Sequence, residues 1–196
     1  MTNKERYISI CKEKIKRPGI DGLLLWLENN SDFFIAPAST KYHGNYVGGL
    51  CEHSLNVYDT LCKIKSTFAE IIGAENISDE TIAIVSLFHD ICKANFYKIG
   101  TRNVKDVGGH WIQKQVYEID EQVPLGHGEK SCILIQRFMS LKLDELLAIR
   151  WHMNGFDCAV KGGDYGLSKA QEMSKLVTLL QVADMISSNL LEHKEE

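Results

Sequence analysis

The 196-residue chain has no Cys-x-x-Cys pair, although it holds six cysteines, at positions 11, 51, 62, 92, 132 and 158. Thiols scattered in this way argue against a clustered zinc module or a disulfide framework. They read as reduced side chains, which fits a cytoplasmic setting. No apolar run approaches the ~20 residues that a membrane-spanning helix needs, so no membrane partner is expected. The opening Met-Thr-Asn-Lys-Glu-Arg leads into a polar helix and not into the apolar core of a secretion signal. No long run of one charge sign occurs, and the net charge is −4. That argues against a protein whose main task is gripping duplex phosphates, and leaves room for a local basic pocket. Internal repeats and low-complexity tracts are also missing. What remains has the composition of an ordinary globular chain, long enough for a single domain over 1–196 with a real core.

Apolar periodicity then predicts mostly helices. Residues 3–16 form an amphipathic helix ended by Arg17-Pro18-Gly19, and 20–29 a short, strongly apolar helix that should pack deep. Residues 31–47 read as a loop. Gly48-Gly49 opens a long helix over 50–69, with His53 bordering its buried face. Ser78-Asp79-Glu80 suits the start of a helix over 79–92. Residues 95–122 break the helical pattern with two aromatic and branched runs around Gly108-Gly109, which predicts an inserted β-hairpin. Its Arg102, Lys105 and Lys114 could face outward. Helices resume over 126–139 and 142–153, and a glycine-rich loop is expected at 154–167. Ser168-Lys169-Ala170-Gln171 reads as a capping box for a last long helix over 169–191. The tail from Glu192 to Glu196 is expected to fray.

Within this frame, His89-Asp90 ends an apolar run, with Lys93 three residues on. The dipeptide alone is weak evidence, since seven His and eleven Asp predict roughly 0.4 such pairs by chance. The surrounding set is more informative. His53, His89, Asp90, His152 and Asp184 all fall on buried helix faces, and His127 sits at a helix start. Singly, each reads as a hydrogen-bonded core or surface group. A carboxylate such as Asp184 within an apolar helix face is costly unless paired. A divalent cation would satisfy the carboxylates and several imidazoles together, and the nitrogen-rich set suits Mn, Fe, Co, Ni or Zn, with Mg possible. His110, in a turn, and His193, in the tail, read as surface groups. His43, in the loop before Gly48-Gly49, has either a pocket-lining role or none.

The order His53, His89-Asp90, His127, His152, Asp184 resembles the HD-domain metal-dependent phosphohydrolase superfamily. Three local contexts agree: Gly48-Gly49-Leu50-Cys51-Glu52-His53, Leu87-Phe88-His89-Asp90-Ile91-Cys92-Lys93 and Gln181-Val182-Ala183-Asp184. The likeness covers about residues 33–190. The first stretch, with Ala36-Pro37-Ala38 and His43 before it, is similar to the HD domain of a group of bacterial 3′–5′ exoribonucleases. It is also similar to stand-alone HD proteins of Firmicutes and their phages. Where the superfamily has a small residue in His-Asp-x-x-Lys, this chain has Cys92, and the Gly-Tyr-Pro of one cyclic-dinucleotide group is missing.

The resemblance implies an all-α HD-domain helical bundle. His53, His89, Asp90 and Asp184 match the ligands of a first metal. His127 and His152 match the imidazoles added in two-metal members, with Asp90 bridging. It further implies hydrolysis of a phosphate ester by metal-activated water, with Asp90 and Lys93 at the reaction centre. Lys93 could contact phosphate, or could be a helix-end lysine favoured by the helix dipole. Glu52 could orient water. His43, Arg102, Lys105, Lys114 and Arg150 could line the substrate. The expected substrate is a small phosphorylated molecule, a nucleotide or short oligonucleotide, with a single-stranded nucleic-acid end also open. Self-association through the hairpin is possible. Two other readings use the same scaffold: a di-iron oxygenase, separable by O₂ consumption, and a non-catalytic nucleotide-sensing module, separable by an active Asp90→Ala protein.

Overall fold

The computed structural model describes residues 1–73 and 76–192. Its order is α1 (Asn3–Lys14), α2 (Ile20–Asn29), α3 (Gly49–Ile72), α4 (Asp79–Phe88), β1 (Tyr97–Lys105), β2 (Trp111–Ile119), α5 (His127–Gln136), α6 (Leu143–Arg150), α7 (Cys158–Lys161), α8 (Gly166–Met173) and α9 (Lys175–Ile186). This is the helical bundle with an inserted hairpin that the sequence predicts. Among the described residues no helix is long and apolar enough to cross a membrane.

The bundle is built around α4. Ser78 caps it by accepting from the Thr81 N–H, and every residue from Thr81 to Phe88 is buried. A helix buried on all sides over that stretch must be surrounded, and α1, α3 and α6 pack against it. Tyr7 of α1 closes one end of the core. Its ring meets Phe33, Phe34 and Phe88, and its hydroxyl donates to the Leu87 carbonyl at 2.8 Å. The helix α2 packs by one face only: Leu23, Leu24 and Leu27 are buried while Leu25 is exposed.

Two glycines decide how closely elements approach. A Cβ on Gly49 would collide with the Gly44 carbonyl, so the start of α3 lies tight against the preceding loop. A Cβ on Gly128 would collide with the Arg150 carbonyl, so α5 and the end of α6 meet there. The hairpin pairs antiparallel, Tyr97 opposite Ile119 and Lys105 opposite Trp111, and most of it is exposed. Arg102, Lys105 and Lys114 face solvent as expected.

Several boundaries differ from expectation. The predicted loop at 154–167 contains α7, whose N-cap is the buried Asp157 carboxylate accepting from the Ala159 N–H. The predicted helix over 169–191 starts earlier, at Gly166, so Ser168 is inside α8 and caps nothing. It also breaks at Ser174, whose backbone is extended (φ −144°, ψ 119°). After α9 the chain continues as a wider π turn over Ser187–Leu191, which brings Glu192 back onto α3. The rest of the tail, His193 included, lies outside the described residues.

Candidate metal centre

His53 lies one turn into α3, His89 closes α4, His127 opens α5, His152 follows α6 and Asp184 sits on α9. His89 keeps helical backbone angles. Asp90 does not (φ −103°, ψ 17°), and a 3₁₀ turn over Ile91–Lys93 follows. The helix expected over 79–92 therefore stops at Phe88. Leaving the helix lets the two adjacent side chains converge instead of splaying, with His89 Nε2 3.5 Å from Asp90 Oδ2.

Asp90 is the hub. Its Oδ2 lies 2.7 Å from Lys93 Nζ and 3.7 Å from His53 Nε2, and its Oδ1 lies 3.3 Å from His152 Nε2. His53 Nε2 is also 3.3 Å from Asp184 Oδ1 and 3.2 Å from His89 Nε2. The groups His53, His89 and Asp184, and separately Asp90, Cys92 and His127, each bring their donor atoms within 4.8 Å of one another.

The other face of each ring fixes its orientation. His89 Nδ1 donates to the Ser86 carbonyl at 2.8 Å, and His152 Nδ1 to the Ile149 carbonyl at 2.7 Å. His53 Nδ1 meets both Glu192 oxygens at 3.1 Å, and Asn56 holds the same carboxylate at 2.9 Å. With Nδ1 engaged as a donor, each Nε2 of a neutral ring turns a lone pair inward, where a proton and a cation compete. As neutral rings, His53 and His89 would present lone pairs to each other and His152 one to a carboxylate, so a proton or a cation must stand between these atoms. Among the described residues Asp90 Oδ1 and His152 Nε2 are buried without a hydrogen-bond partner. Lone pairs converging on one point with their donors turned outward fit a divalent cation, and the backing carbonyls and carboxylate are the usual supports of ligating histidines.

The electrostatics follow from burial and neighbours. Burial opposes charge on His53, but the bonds to Asp184 and Glu192 outweigh it and push its pKa up to about 10. Burial brings His89 down to about 4. Burial alone would raise Asp90, yet Lys93 and the imidazoles hold its carboxyl well below the usual range. Burial also opposes charge on Lys93, and Asp90 keeps it protonated. That lysine is buried and ion-paired, not a solvated helix end.

Other expected site residues are placed differently. His43 stacks beside His53 with ring centres 4.8 Å apart, and its buried Nε2 has no partner among the described residues. Burial, with His53 and Lys93 nearby, lowers it to about 4. Arg150 is not brought to the cluster. Its guanidinium pairs with Glu129 and Asp157 and lies 4.0 Å over the Trp151 ring. Arg102 is exposed opposite Lys114 on the hairpin. His110 is exposed beside Asp106. Glu52 accepts from Asn3 at the surface. Two residues of the centre escape the sequence reading. Glu192 was expected to fray but is held on His53, and Cys92 Sγ lies 3.3 Å from His127 Nδ1. All six thiols are unpaired as disulfides, as expected.

The bundle thus brings histidines and aspartates from separate helices into groups that could hold a metal ion. The family model for the HD domain matches residues 50–189, most of the chain, and the chain belongs to that family. A curated relative, the dihydroneopterin 2′,3′-cyclic phosphate phosphodiesterase of Methanocaldococcus jannaschii, is 40% identical over 62 residues. That stretch is 32% of this chain and 24% of the relative, so the chain matches about a quarter of the relative's length. No solved structure matches.

Proposed function

We propose that the chain is a metal-dependent phosphohydrolase, a phosphodiesterase or phosphomonoesterase, acting on a nucleotide or short oligonucleotide. One observation carries this reading: Asp90 stands between an inward-facing set of imidazoles and the buried Lys93 ammonium, 2.7 Å away. A fixed cation beside a metal-binding carboxylate is suited to a phosphoryl group, whose non-bridging oxygens need positive charge from two sides. The relative's printed name, a cyclic phosphate phosphodiesterase, supports the same bond type.

In this reading His53, His89, Asp90 and Asp184 hold one ion, and Asp90, His127 and His152 hold a second, drawn from Mn, Fe, Co, Ni, Zn or Mg. Bound metal would lower the pKa of water and polarise a phosphoryl oxygen. Lys93 donates to a non-bridging oxygen. Neutral His43, whose Nε2 has no partner among the described residues, offers a hydrogen bond to a substrate hydroxyl or base edge. The Arg150 pairs tie α5 to the turn that carries His152, so we assign Arg150 to positioning that turn.

The test is metal analysis of the purified protein, joined to a screen with bis- and mono-p-nitrophenyl phosphate across Mn, Co, Ni and Mg. Metal-dependent p-nitrophenol release that disappears in His89→Ala is expected. Silence with every metal, or full activity in His89→Ala, refutes the reading. A further expectation concerns Glu192. Removing the carboxylate behind a ligating imidazole costs about 10–100-fold in metal affinity. Glu192→Ala should show that loss by titration calorimetry, and an unchanged affinity would assign Glu192 to fastening the chain end alone.

A further inference from the structure

The position of Cys92 is set by the bend after α4. Asp90 leaves the helix, and after the turn over Ile91–Lys93 the Cys92 side chain meets the start of α5. There the Cys92 N–H donates to Ser131 Oγ at 3.2 Å, and Sγ comes to 3.3 Å from His127 Nδ1. Both residues join Asp90 in one group whose donor atoms are mutually within 4.8 Å. A tetrahedral ion bonded at about 2.3 Å to sulfur and about 2.0 Å to nitrogen would separate those two atoms by roughly 3.5 Å. The observed spacing already matches. Asp90 Oδ1 and His152 Nε2 face each other at 3.3 Å, and among the described residues both are buried without a hydrogen-bond partner.

We propose that Cys92 is a sulfur ligand of this centre, which with His127, Asp90 and His152 forms a position selective for zinc or another thiophilic cation. This rests on the metal-centre reading and goes beyond it, because a thiolate changes which ion the position prefers. Imidazole and carboxylate ligands accept manganese or magnesium, and a thiolate turns the set towards zinc and cobalt. Binding breaks the S–H bond, releases that proton to solvent and forms the sulfur–metal bond, with no change of oxidation state. The competing account is a small buried side chain whose S–H points at His127, a role that alanine would fill almost as well.

Cobalt(II) distinguishes the two without any assay of activity. Wild-type protein loaded with cobalt should show a near-ultraviolet thiolate-to-cobalt charge-transfer band. Cys92→Ala and Cys92→Ser should each lose it. Zinc affinity at the altered position should fall by more than the roughly 10–100-fold that a residue behind a ligand costs, while manganese affinity changes less. A cobalt-saturated wild type without the band overturns the proposal, and so does a band that survives in Cys92→Ala. Because the wild-type spectrum is itself decisive, misfolding of a variant does not rescue the idea. Phosphoesterase activity in a protein lacking the band sinks this inference and spares the hydrolase reading. Failure to bind any metal sinks both.

Discussion

Asp90→Asn is expected to abolish phosphoester hydrolysis and, in the same protein, to lower stability. Removing one oriented donor from an active site costs roughly 10²–10³ in rate. Asp90 should cost more, because its two oxygens face Lys93, His53, His89 and His152 together. An amide oxygen is a poor ligand for a transition metal, and its nitrogen would point a donor where a cation belongs. Metal analysis of the variant should therefore show loss of bound ion, and p-nitrophenyl phosphate release should fall to background.

The stability effect has a separate cause. Lys93 is 8% exposed and its ammonium is paired with Asp90. Without that carboxylate a buried cation is left uncompensated, at a cost of about 3–5 kcal/mol. Replacing the lysine as well should remove the penalty. In metal-stripped protein, Asp90→Asn/Lys93→Met should recover most of the lost stability by denaturant titration, yet remain inactive and metal-poor. The comparison separates the two roles of one residue. An Asp90→Asn protein with wild-type turnover would end the hydrolase account. A double variant as unstable as the single one would end the ion-pair account.

These residues were legible in the sequence because they end the mostly apolar run from Ile82 to Phe88. A helix buried from Thr81 to Phe88 must place whatever ends it deep in the bundle, so His89 and Asp90 could be read as buried without coordinates. Asp184, an acid inside an apolar period, was legible for the same reason. What escaped depends on contacts between distant segments. Glu192 reaches His53 across 139 positions, by way of a π turn that composition does not announce. Cys92 meets His127 across 35 positions, and its chemistry is visible only once α5 is placed. The break at Ser174 carries no proline or glycine, and the apolar period runs through it, so periodicity alone joined α8 to α9. Charged residues were the hardest to place. Arg150 and Arg102 look alike in sequence, but one is held in an ion-pair cluster and the other stands on an exposed strand.

Glu145 belongs with these, and it supports the second large expectation. Its side chain is fully buried on α6, where the periodicity gave no sign of a buried acid. Arg17, at the end of the first helical segment, meets it with two nitrogens, Nη1 at 2.5 Å and Nη2 at 2.9 Å, and also reaches Glu80 at 3.2 Å. Thr81 Oγ1 and the Lys142 N–H complete the shell at 2.9 and 2.8 Å. Burial would raise the Glu145 pKa, but Arg17 and the other donors outweigh it and hold the carboxyl below its usual range. Arg17→Met leaves the acid buried and unpaired. The expected loss is about 3–5 kcal/mol, or roughly 6–20 °C in Tm for a chain of this size.

The pH dependence gives the sign. In the wild type the unfolded chain binds more protons than the folded one across the window below the ordinary carboxylate value. This contribution is therefore present above that value and lost as pH falls through the lowered folded pKa. In Arg17→Met only the Thr81 and Lys142 donors remain to oppose burial, so the folded pKa rises, the folded chain binds the extra proton sooner and acid narrows its deficit. The stability gap between the two proteins should be widest near neutral pH and narrow as the pH falls below the carboxylate range. Denaturant titrations at neutral pH and at about pH 4 measure it. Arg17 contacts the start of α4, at the opposite end from His89, so metal content of the folded variant should be unchanged. A gap that stays constant with pH, or a loss under about 1 kcal/mol, would show that Glu145 reaches water or another partner once Arg17 is gone.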